Sequence, residues 1–322
     1  MPLIETSEYR APWWLPNGHV QTILAPLRSA PAIYFARERI ETPDGDFLDL
    51  DWASALRAGM PSPPLVVISY GMESEPSSPY VRACVAALHE KNFDAVVWNY
   101  RGCSGEPNRK IHFYHGGLIG DLEAVIQRAM ARGYADIRLV GFSLGGNLTL
   151  NYLGHRGADV PPAVKCAVAF SAPADVGGCT RELRKPLKKI YAKIFLRAFR
   201  EKIRAKMAAM PGQIDDRAFD SIATLEDYDE RYTVPHFGFA NVLEFYRAVS
   251  SRHVIADIRV QTLIVSALDD PFMGPDCVPF DAARGNPNVF LETPRHGGHL
   301  GFLLRGGGSW MEKRIIEFMQ SA

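Results

Sequence analysis

A short apolar run at residues 137–140 stops at Gly141-Phe142-Ser143-Leu144-Gly145, and a good helix-forming sequence, residues 147–152, follows at once. The order is strand, elbow, helix. The G-x-S-x-G spacing has a mechanical cause: the serine sits on a strained turn, and the residues two before and two after it lack side chains because neighbouring backbone passes close by. Ser143 then projects its hydroxyl from the carboxyl end of a strand, with a helix N-terminus beneath it. Taken alone, the same letters also suit a glycine-rich β-to-α turn with an inert serine, so the rest of the chain must decide.

The flanking pattern is that of a parallel sheet. After a proline-rich break at residues 61–64, apolar runs at 65–69, 94–98, 137–140 and 164–170 alternate with helical periodicity at 80–91, 123–132 and 147–154. Strands that are apolar throughout are covered on both faces. Ahead of them, residues 32–41 and 47–52 flank Thr42-Pro43-Asp44-Gly45-Asp46, whose Asp-Gly turn predicts an antiparallel hairpin. Residues 12–22 are too rich in proline for a helix and read as an extended arm. Trp13 and Trp14 are expected to pack on the body of the protein, and His19 to be a structural histidine of the arm.

From residue 175 to about 255 no β-type run occurs. The segment reads as several helices with a dense basic stretch running from Arg181 to Lys206. Regular order resumes with strands at 260–266 and 288–291 and a closing helix at 309–319. The expectation is an α/β core of residues 1–174 and 256–322, with residues 175–255 inserted as a helical lid on the side where strand ends carry chemistry. Its apolar residues Ile190, Ile194, Phe195, Phe199, Phe237 and Phe239 exceed what a solvated helix would carry, so some should face a pocket.

A serine hydroxyl is nearly inert at neutral pH and needs a base to take its proton and an acid to orient that base. In open α/β sheets these partners lie on loops after later strands, in the chain order serine, acid, histidine. Here Ala267-Leu268-Asp269-Asp270-Pro271-Phe272 follows one late strand, and Pro294-Arg295-His296-Gly297-Gly298-His299 follows the next. Asp270 is favoured over Asp269 as the acid because Pro271 fixes the backbone after it; Asp269 would cap the turn or face solvent. His299 is favoured over His296 as the base because two glycines let its loop approach the nucleophile. Gly71, after the first parallel strand, would let the Met72 N–H turn inward, and the Leu144 N–H would supply the second oxyanion donor. Neither His296 with His299 nor His112 with His115 has the helix and third ligand that a zinc site needs, so no metal or cofactor is expected.

Composition narrows the partners. Lys plus Arg equals Asp plus Glu at 36 each among 322 residues, so no global field favours nucleic acid. Five cysteines without C-x-x-C spacing predict reduced thiols in a cytoplasmic protein. No signal-peptide core is evident and nowhere do about 18 apolar residues run together, so neither secretion nor a membrane span is expected. The basic stretch is read first as a solvated helix face, with weak peripheral contact to anionic lipid as the alternative. Arg101-Gly102-Cys103-Ser104-Gly105 shapes the pocket or, through Arg101, binds an anionic group; no base follows Cys103, which is therefore not a nucleophile.

Several stretches together carry a resemblance: Trp14-Leu15-Pro16-Asn17-Gly18-His19-Val20-Gln21-Thr22, Tyr100-Arg101-Gly102-Cys103-Ser104-Gly105-Glu106-Pro107-Asn108, Gly141-Phe142-Ser143-Leu144-Gly145-Gly146-Asn147, Asp269-Asp270-Pro271-Phe272 and His296-Gly297-Gly298-His299. The chain resembles the α/β-hydrolase superfamily and, within it, the AB-hydrolase-4 family of YheT-like esterases, whose eukaryotic relatives act on acylglycerols and other lipid esters. The resemblance implies Ser143 as nucleophile, Asp270 as acid and His299 as base. Tyr70-Gly71 stands where that family usually has His-Gly, a departure that bears on loop packing. The function expected is hydrolysis of carboxylic esters through an acyl-enzyme, with medium-chain or lipid acyl esters as the candidate substrates. Thioester hydrolysis or acyl transfer on the same triad is the alternative, and a non-catalytic binding protein is a third reading.

Overall fold

The computed structural model describes residues 3–15, 17–55 and 63–322, so Pro16 and the first half of the proline break at 61–64 lie outside the described residues. In chain order the strands are β1 (Leu3–Ile4), β2 (Ala36–Glu41), β3 (Phe47–Ala53), β4 (Leu65–Ser69), β5 (Asp94–Trp98), β6 (Ile137–Phe142), β7 (Val164–Phe170), β8 (Gln261–Val265) and β9 (Val289–Glu292). The helices are α1 (Gly18–Leu24), α2 (Pro79–Glu90), α3 (Ile119–Ala131), α4 (Leu144–Arg156), α5 (Val176–Leu183), α6 (Lys189–Ala209), α7 (Leu225–Tyr228), α8 (Val234–Phe237), α9 (Val242–Val249), α10 (Phe280–Gly285) and α11 (Trp310–Ser321).

The strands form one sheet in the order β1-β9-β8-β7-β6-β4-β5-β3-β2. Only β3 and β2 run antiparallel to their neighbours; the others are parallel. This is an α/β-hydrolase fold with a mostly parallel sheet and an antiparallel hairpin near its start. Strands β4 and β5 are buried at every position, because helices cover the sheet. Strand β3 is buried throughout as well, despite Asp49 and Asp51. The hairpin register sets Arg39 opposite Asp49 and Arg37 opposite Asp51, and each guanidinium holds its carboxylate by two bonds of 2.8 Å.

The first segment departs from expectation in two ways. Residues 12–22 do not stay extended: helix α1 begins at Gly18, because Asn17 caps it by accepting from the His19 and Val20 N–H groups, and the prolines all precede that cap. Trp13 does not pack on the body either, and Trp14 meets it through the Arg305 guanidinium, 5.9 Å from its ring centroid. Trp13 is 81% exposed, and its ring meets Trp14 edge to face at 5.6 Å. Residues 3–4 add an edge strand beside β9 that the sequence did not announce.

Between β7 and β8 lie helices α5 to α9, with a π-turn at Asp229–Thr233 joining α7 to α8. The amphipathic helix α6 buries Tyr191, Ala192, Leu196, Phe199 and Ile203. Ile190 and Ile194, expected as candidates for the pocket side, sit on the opposite stripe and are 61% and 62% exposed. Much of the basic stretch is paired within the insertion: Lys185 and Lys188 on Glu182, Arg184 on Glu226, and Arg200 and Arg204 on Asp216. Among the described residues no helix is long and apolar enough to cross a membrane.

Candidate active site

Strand β6 ends at Phe142 and α4 starts at Leu144, leaving Ser143 alone at the corner with φ 52° and ψ −119°. A non-glycine residue in that region is strained, and the packing around it holds it there. A Cβ on Gly141 would lie 2.4 Å from the Gly145 carbonyl oxygen, and one on Gly145 would lie 2.1 Å from that of Ser69. Both positions therefore exclude any side chain, which is the physical content of the G-x-S-x-G spacing.

The loops after β8 and β9 meet at this corner. His299 Nε2 lies 2.8 Å from Ser143 Oγ, and His299 Nδ1 lies 2.9 Å from Asp270 Oδ2. The Asp270 carboxylate is fully enclosed and accepts the Phe272 N–H at 2.8 Å on its other oxygen. The Phe272 ring stacks on the imidazole at 4.1 Å, which fixes its plane. Asp269 and His296 form a separate pair at 3.1 Å, and Asp269 also accepts the Gly298 N–H at 2.9 Å. That pair braces the histidine loop without touching Ser143 in any contact of the described residues.

Several bracing residues lie in the stretch 14–22 that carries part of the resemblance, but their contact with the site is not readable from it. Thr22 on α1 accepts the His299 N–H at 2.8 Å and donates to the Gly18 carbonyl at 2.7 Å. Gln21, fully buried, accepts from Tyr9 and from the Leu303 N–H. The N-terminal segment thus clamps the histidine loop from a sequence distance of 277 residues, which no motif spacing reveals. His19 hydrogen-bonds the Tyr191 hydroxyl at 3.0 Å, tying α1 to α6.

Gly71 packs against Ser143, and its N–H donates to the Tyr80 hydroxyl at 2.9 Å. Burial pushes that phenol up to about 12, so it stays protonated and donates to Ser74. Met72 and Leu144 both line the cavity onto which Ser143 opens. Glu73 follows in a left-handed conformation (φ 55°), its carboxylate accepting from Tyr114 at 2.6 Å and from Lys202 of α6 at 2.8 Å. Tyr70 turns into the core against Tyr100, 4.6 Å between rings.

The cavity measures about 110 Å³ and its wall is mostly apolar, with Phe113, Leu183, Phe195, Phe199, Phe245 and Phe272 prominent. Phe237 and Phe239 instead support it from behind, on His115 and Phe245 respectively. His115 also lines it, and burial drives its imidazole down to about 3, so it is neutral. Arg101 is not free for an anion: Asp121 holds it by two bonds, and Asp44 and Asp46 take the remainder. Burial lifts the Cys103 thiol to about 11, and the Lys202 ammonium donates to it at 2.8 Å.

Comparison with known proteins places this architecture. The profile of the alpha/beta hydrolase fold matches residues 64–305. YheT of Escherichia coli strain K12 is 33% identical over 94% of this chain and 90% of its own length. Phospholipase ABHD3 of Mus musculus is 28% identical over 99% of this chain and 80% of its own. Among solved structures, the Pyrococcus furiosus esterase Pf2001 superimposes with a TM-score of 0.58 over 97% of this chain and 99% of that one, at 16% identity. On the profile match and the YheT similarity, the chain belongs to the α/β-hydrolase fold family and to its YheT-like branch.

Proposed function

We propose that the protein cleaves carboxylic esters through an acyl-enzyme on Ser143, with His299 as general base and then acid, and Asp270 holding the imidazole in the required tautomer. That the chain is a carboxylic ester hydrolase rests on its relatives, named phospholipase and monoacylglycerol lipase among others. The observation that supports the triad most directly is the continuous chain from Ser143 Oγ to His299 to the enclosed Asp270, at 2.8 and 2.9 Å.

The steps follow from that geometry. Ser143 Oγ attacks the ester carbonyl while its proton passes to His299 Nε2, and the imidazolium is stabilised by the Asp270 carboxylate. The oxyanion that forms is met by the Met72 and Leu144 N–H groups, the second at the N-terminus of α4. His299 returns the proton to the leaving alkoxide, which departs as the alcohol. Water, deprotonated by the same imidazole, then releases the acid and restores Ser143.

The helices of residues 175–255 act as the lid, and the acyl group lies among Phe195, Phe199 and their neighbours. At about 110 Å³ the cavity is smaller than the roughly 150 Å³ that houses a benzene ring. Each methylene it does accept contributes about 0.8 kcal/mol. Activity on p-nitrophenyl esters is therefore expected to climb from acetate to a chain of moderate length and then fall, and Phe199→Ala should move the optimum to longer chains. A fluorophosphonate should label the wild type and leave Ser143→Ala unlabelled; equal labelling of both would overturn the assignment of Ser143.

A further inference from the structure

The ester-hydrolase reading accounts for the apolar wall of the cavity but not for Asp229, a carboxylate that lines it. Asp229 opens the π-turn between α7 and α8, a rare geometry that occurs often at functional sites. Its carboxylate accepts from the Tyr246 hydroxyl at 2.9 Å and from Thr233 at 2.7 Å. Both donors are neutral, and Asp229 makes no ion pair with any described residue. Burial and the nearby Glu226 carboxylate push it up to about 6.

Four other polar side chains on this wall already have partners within the protein. Asn147 donates to the Val249 carbonyl, Lys202 is paired with Glu73, and Thr180 donates to the Gly177 carbonyl. His115 accepts the Gly117 N–H and is neutral. A carboxylate offers about four acceptor positions, and protein hydroxyls occupy two of those on Asp229. An acceptor kept in an apolar cavity without a counter-charge is costly unless something that enters the cavity answers it.

We propose that Asp229 forms a polar subsite of the catalytic cavity, which selects esters carrying a hydrogen-bond donor, a hydroxyl or an ammonium, away from the reacting carbonyl. The inference rests on the ester-hydrolase reading of the same cavity. The apolar wall between Ser143 and Asp229 takes the methylenes, and the carboxylate takes the donor. An alkyl terminus in the same place would strip water from the carboxylate and give nothing back, which is how a site built to hydrogen-bond its substrate rejects the analogue that lacks the group.

The test compares methyl hexanoate and methyl octanoate with their ω-hydroxy and ω-amino counterparts, on wild type, Asp229→Asn and Asp229→Leu. In the wild type the donor-bearing ester of at least one length should exceed its alkyl counterpart in kcat/KM by about tenfold or more. Asp229→Leu should reverse that ratio, and Asp229→Asn should keep a hydroxyl preference while losing an ammonium one. The ratio within each variant is the readout, so a general loss of activity does not imitate the effect, and Asp229→Asn serves if Asp229→Leu does not fold. Alkyl esters preferred at both lengths by the wild type, a donor preference unchanged in Asp229→Leu, or an ammonium preference unchanged in Asp229→Asn, would overturn the subsite. Wild-type protein that is labelled at Ser143 by a fluorophosphonate yet shows no donor preference defeats the subsite alone. Protein that is neither labelled nor active on any of these esters defeats the hydrolase reading and this inference with it.

Discussion

Asp269 and Asp270 are neighbours in sequence with separate tasks in space, and the difference lies in the partners that each one meets. Asp270 is fully enclosed and bonds the imidazole that faces Ser143, whereas Asp269 bonds His296 and the Gly298 N–H. In the proposed mechanism Asp270→Asn inverts the hydrogen bond that sets the His299 tautomer, and kcat should fall about 10³- to 10⁴-fold. Asp269→Asn keeps an acceptor for Gly298 and should cost about tenfold or less, as a loosening of the loop. Steady-state kinetics on one p-nitrophenyl ester separates the two, with circular dichroism to confirm folding. Comparable losses in both variants would mean that loop position, not tautomer control, governs the rate.

Helix α6 is joined to the core by Lys202, whose ammonium bridges Glu73 and Cys103 at 2.8 Å each. Glu73 directly follows Met72 and holds a left-handed backbone, so this ion pair fastens the insertion to the loop that carries Met72, the proposed oxyanion donor. Both side chains are largely shielded, and removing one partner leaves a poorly solvated charge. Lys202→Met should therefore lower stability by about 1–3 kcal/mol in urea titrations. It should also lower kcat more than it raises KM, with Lys202→Arg recovering part of the loss. A change confined to KM would make Lys202 a wall residue and nothing more.

Asp229 also has a consequence for the stability of the whole molecule. Its carboxyl has a pKa raised from 3.8 to about 6 in the folded protein. Between those values the native state binds more protons than the unfolded chain, so this group makes stability fall as pH rises from about 4 to about 6, and the loss is complete above that. The size is at most about 3 kcal/mol, since one pKa unit is about 1.4 kcal/mol and the side chain keeps some access to the cavity. Asp229→Asn should remove this component: the difference in unfolding free energy between variant and wild type, followed by urea titration, should grow in the variant's favour across that window. A difference that stays flat with pH would show that Asp229 is solvated well enough to titrate normally.

The alternation of apolar runs and helical periodicity is a local property, and it sufficed for the parallel sheet, the hairpin and the helical insertion. The elbow at Ser143 was legible because close backbone approach demands glycine at Gly141 and Gly145. The residue order also put Asp270 and His299 at the ends of later strands. What the sequence could not disclose were contacts made across the fold. Thr22 reaches the His299 backbone, and Lys202 reaches Glu73, only because the sheet and insertion bring distant segments together. Local composition also misled at residues 12–22, where counting prolines overlooked the Asn17 cap that starts α1 after them. Which stripe of α6 faces inward was likewise settled by docking: Ile190 and Ile194 are as apolar as Phe195 and Phe199, and only the orientation of the helix on the core left them in solvent. Nothing in the local sequence sets Asp229 apart from the acids near it, and only the packing of the insertion places it in the wall of the cavity onto which Ser143 opens.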